Sequence, residues 1–82
     1  MGKQRLSWGV YFDYLETLVS IKYNLYMAKR AMNVEAKQEH AEVASLRAGD
    51  LIKSCPELGK SRLNKLSKLE KEAEIIEDSI WA

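Results

Sequence analysis

From Val10 to Ala48 the chain contains neither glycine nor proline. A run of that length restricts the fold severely, because chain reversals rely mainly on those two residues. Within it Val10, Tyr14, Leu18, Ile21, Leu25, Ala28 and Met32 recur at spacings of three and four. That is the period of an α-helix with one face toward a core. The alternation of a half-buried strand is found nowhere in the chain. An all-α fold is expected.

A second apolar row runs beside the first: Trp8, Phe12, Leu15, Val19, Tyr23 and Tyr26. Together the two rows cover more than half of the helix circumference. Asp13, Glu16, Thr17, Ser20 and Asn24 are left as the polar strip. A helix of this kind has two faces to bury. Ser7 is placed to cap its start.

The period slips at Asn33, where continuing the first row meets Glu35 and Glu39. A new stripe begins there: Val34, Ala41, Ala44, Ala48, Leu51, Ile52 and Cys55. Its alanines allow a neighbouring helix to come close. Asn33 either caps a second helix or marks a bend. The clearest turn is Ser54-Cys55-Pro56-Glu57-Leu58-Gly59, because proline lacks a donor and disfavours a helical residue before it. Beyond it Leu66, Leu69, Ala73, Ile76 and Ile80 form a narrow, heptad-like, coiled-coil seam.

These signals predict a single domain of three helices, at about 8–32, 34–54 and 60–81. The expected architecture is an antiparallel three-helix bundle in which the first helix touches both others. Returning the last helix is expected to bring Trp81 back near Trp8, Tyr11 and Phe12. The alternative is a long helical hairpin, with residues 8–48 in one helix of about 60 Å at roughly 1.5 Å per residue. Its aromatic half then lies bare, and the hairpin dimerises or docks on a partner.

The net charge of +1 argues against binding nucleic acid through overall charge, although a local patch can still act. Cys55 is the single cysteine, so no internal disulfide and no cysteine-built zinc site is expected. That usage suits a reducing, intracellular compartment, and a cytoplasmic protein is expected. The first apolar run is interrupted at once by Asp13 and Glu16, so neither a secretory leader nor a membrane span is expected.

Catalytic chemistry finds little material. His40, the sole histidine, reads as a solvated helix residue. The position three before it is Lys37, so the Glu-x-x-His spacing of carboxylate-bridged di-iron bundles is missing. Cys55 lacks a converging base. Gly59-Lys60-Ser61 has Ser54 where a phosphate-binding loop requires its first glycine, and no strand precedes it. A non-enzymatic protein is expected, without cofactor, metal or small-molecule substrate.

Pro56, Leu58, Gly59, Lys60, Leu63 and Leu66 form a turn that resembles part of a helix-hairpin-helix DNA-binding motif. Glu57 stands where that motif carries its first glycine. The resemblance implies backbone amides near Gly59 meeting a phosphate, with Lys60 and Arg62 alongside. Lys60, Arg62, Lys65 and Lys68 are accordingly the candidates for a nucleic acid or an acidic partner. Pairing with acids further along the helix, such as Lys68 with Glu72, is the competing account of this run. Lysines at a helix start oppose the macrodipole, which favours a role outside the fold.

Six of the seven aromatic residues lie between Trp8 and Tyr26. They form either an aromatic core at one end of the bundle or a binding face, since Trp and Tyr are enriched at interface hot spots. The expected function is a small protein-interaction module, adaptor- or inhibitor-like. It binds a larger protein, or its own copy as a homodimer, through Trp8, Phe12, Leu15, Val19, Tyr23 and Tyr26. The alternative is a nucleic-acid-binding accessory protein using the basic start of the last helix.

Overall fold

Ser7 opens the first helix from extended backbone, and its hydroxyl oxygen accepts from the Val10 amide at 3.1 Å. The computed structural model describes residues 7–81, with side chains as far as Ile80. Three helices follow in order: α1 (Trp8–Arg30), α2 (Val34–Ser54) and α3 (Lys60–Trp81).

The break after Arg30 needs neither glycine nor proline. Ala31 and Asn33 are both extended, and the Asn33 side-chain oxygen accepts from the Ala36 amide at 2.7 Å. A side chain that satisfies a free helix amide competes with continuing the helix through it. The turn is placed where the apolar stripe changes face, so both stripes reach one core. The long-hairpin alternative is thereby replaced by three separate helices. The second break is made by Pro56, which opens a 3-10 turn over Pro56–Leu58. Gly59 then takes φ 91°, a region that side chains with a Cβ rarely adopt.

The helices pack as a three-helix bundle with α2 in the middle. It lies along both α1 and α3, whereas α1 and α3 meet much less. Ala41, Ala44 and Ala48 are fully buried and form the inner surface of α2. Their small side chains let both neighbours approach. Tyr14, Ile21 and Leu25 of α1 join Leu51, Leu58, Leu66 and Ala73 in one core, with Leu18, Leu63, Leu69 and Ile76 packed on it.

The first helix touches both others as expected, but it meets α2 far more than α3, because α2 carries the alanines that suit a central position. Three expectations are corrected. Trp81 does not return toward Trp8. In an up-down-up bundle the first and third helices run in the same direction, and Ser79 and Ile80 lie beside Ala31, Met32 and Val34 at the α1–α2 junction. The Trp81 side chain itself is outside the described residues. Met32 and Val34, assigned to the inner stripes, are exposed because they sit at that junction. Asn24, assigned to the polar strip, is buried against α2.

Candidate interaction face

Consecutive helix residues are rotated by roughly 100°, so Val19 and Ile21 point to nearly opposite sides of α1. Ile21 is completely buried, whereas Val19 is 69% exposed. The same division runs along the whole helix. Tyr14, Ile21, Leu25 and Ala28 face the core. Trp8 is 74% exposed, Phe12, Tyr23 and Tyr26 are each more than half exposed, and Leu15 is 36% exposed. All six side chains of the predicted row therefore lie on one outward face, with Tyr23 also reaching the edge of α2 at His40.

The aromatic rings on this face order one another. Trp8 stacks on Phe12 with centroids 5.8 Å apart, and meets Tyr11 edge-on at 6.4 Å. The Arg30 guanidinium lies 5.3 Å from the Tyr26 ring centroid, within cation–π range. Tyr23 meets the His40 ring edge-on at 6.4 Å. Charges fringe the row unevenly. Asp13 and Glu16 are exposed beside its first half, and Lys22, Lys29 and Arg30 beside its second.

The basic candidates separate into two groups. Arg62 is half-buried and turned into the fold. Its Nη1 donates to the Leu58 carbonyl at 3.2 Å, and its guanidinium lies 5.7 Å and 5.9 Å from the rings of Tyr11 and Tyr14. It ties the start of α3 to the start of α1. Lys60, Lys65 and Lys68 are exposed, and Lys65 and Lys68 border a shallow depression with Ser61 and Asn64. The expected Lys68–Glu72 pair does not form. Glu72 meets Lys29 of α1 at 3.6 Å instead, the one ion pair among the described residues. Its position on the side of α3 nearest α1 accounts for the choice.

His40 is not simply solvated. Its Nδ1 lies 2.8 Å from the Asn24 side-chain oxygen, while the Asn24 amide nitrogen donates to the Ser20 carbonyl at 2.8 Å. Asn24 is thus the acceptor, and His40 Nδ1 carries the shared proton. This α1–α2 tie was missed from sequence, although Asn24 falls three residues after Ile21 and four before Ala28, on the core side. Cys55 caps α2, with its sulfur 3.8 Å from the Ser54 hydroxyl. Among the described residues, no three His, Cys, Asp or Glu side chains gather as a metal site, and no helix is long and apolar enough to cross a membrane.

No family model, curated protein or solved structure matches the chain at a significant level.

Proposed function

We propose that this chain is a non-enzymatic protein-interaction module that works through the outward face of α1. One observation carries the reading: six large apolar side chains in a continuous row are exposed while a separate core holds the bundle together. Folded monomers rarely expose contiguous apolar patches beyond a few hundred Å² unless the patch has a use. The residue types fit the same role. Trp and Tyr bring large contact area with few torsions to freeze, and a tyrosine hydroxyl can stay wet at a rim. An adaptor- or inhibitor-like task suits a small domain that presents one rigid helix face.

A photoreactive amino acid placed at Val19 tests this reading in the cells that make the protein. The expected result is a discrete protein adduct from Val19, and none from the same group at Ile75, which is exposed on α3. Equal labelling from both positions, or none from Val19, would remove the case for this face.

A second reading places an acidic partner or nucleic acid along Lys60, Lys65 and Lys68. It is favoured by their exposure and by the absence of any ion pair to them among the described residues. Arg62 leaves that set, because its guanidinium is engaged within the fold.

A further inference from the structure

We infer that the partner of the α1 face is a second copy of this chain, with the two α1 helices antiparallel about a two-fold axis level with Thr17. This inference rests on the reading of that face as a protein contact, and adds the identity of its occupant.

The spacing of the row is the first support. Trp8 and Tyr26 each lie nine positions from residue 17, and Leu15 and Val19 each lie two. Phe12 lies five before it and Tyr23 six after. A two-fold contact joins a surface to itself, so each side chain needs a counterpart at the mirrored level. Antiparallel pairing supplies one throughout: Trp8 meets Tyr26 of the second copy, Phe12 meets Tyr23, and Leu15 meets Val19.

The helix dipoles suit the same direction. A parallel pair sets each charged residue level with its own copy. An antiparallel pair about Thr17 brings Asp13 within one position of the level of Lys22 of the second copy, and opposes the helix dipoles. Lys22, which flanks the row, comes level with Phe12 of the second copy, where a cation can lie over the ring. Glu16 alone approaches its own copy, at the exposed rim.

Area is the third support. Aromatic side chains offer roughly 150–250 Å² each, so a row of four, more than half exposed and joined by Leu15 and Val19, presents on the order of 600 Å². Two such faces bury on the order of 1,200 Å² together, the lower edge of the range for stable association. A concentration-dependent equilibrium between one chain and two is the consequence. The core side of α1 points toward α2, so the row faces away from the bundle core.

The test combines light scattering with cysteine cross-linking. The wild-type mass is expected to rise from 9.4 kDa toward twice that value as concentration increases. Val19→Glu and Phe12→Glu, each checked for retained helix by circular dichroism, are expected to stay at single-chain mass. In a Cys55→Ser background, Glu16→Cys lies about 3 Å along the axis from its copy and is expected to oxidise to a covalent dimer. Tyr26→Cys lies about 27 Å from its copy and is expected not to do so. A wild-type mass of one chain at every concentration overturns the inference. So does a dimer that survives both charged variants, or one cross-linked by Tyr26→Cys and not by Glu16→Cys. A single-chain result defeats self-pairing alone. Labelling from Val19 then decides separately whether the face holds a different protein.

Discussion

Val19 and Ile21 stand two positions apart on one helix, yet only one of them belongs to the core. Ile21 fills space between α1 and the alanines of α2, and its removal leaves a cavity that rigid helices cannot close. Ile21→Ala is expected to cost about 2–5 kcal/mol of stability. Val19→Ser is expected to change single-chain stability by no more than about 0.5 kcal/mol. Urea unfolding at low protein concentration measures both. Similar losses at the two positions would place the outer row inside the core. The periodicity of the sequence separated these two rows correctly, because three-and-four spacing specifies which side chains share a face. It did not say whether the aromatic row was core as well or a free face. Both rows are apolar, and the position of α2 decides.

At the scale of the helix, the alanine face of α2 governs the arrangement. Ala44 and Ala48 have no exposed surface, and a leucine there has no room without moving a helix. Ala48→Leu is expected to destabilise the bundle by about 1–3 kcal/mol, read as a lower denaturation midpoint. A neutral or stabilising result would mean that α2 is not held closely between its neighbours. The helix ends were legible: Ser7 caps α1, Asn33 caps α2, and Pro56 with Gly59 breaks the chain before α3. Each acts through its own local chemistry, so each can be read without the fold. The middle place of α2 was harder to read. The alanines predicted close approach, but which helices approach depends on pairwise packing over the whole chain. Arg62 and Glu72 illustrate the same limit. Arg62 reads as a candidate for an outside partner and Glu72 as a partner of Lys68, yet both reach α1, Arg62 at Tyr11 and Tyr14 and Glu72 at Lys29. Asn24 was misread for a related reason. An amide counts as surface until a partner such as His40 is placed opposite it, and that residue comes from another helix.

For the whole molecule, the central α2 has a consequence for function. If α1 had lain between the other two helices, both of its apolar rows would be buried and the aromatics would be core. With α2 in that place, α1 needs one row for the fold and has the other to spare. Phe12, Val19 and Tyr23 can therefore be changed together to glutamine, a good helix former, without touching the core. Thermal unfolding of that triple variant, followed by far-UV circular dichroism at low concentration, tests the separation of fold from contact face most directly. The account predicts full helix content and one cooperative transition. A chain that loses its helices, or melts without cooperativity, would show that the row holds the bundle together and is no free surface.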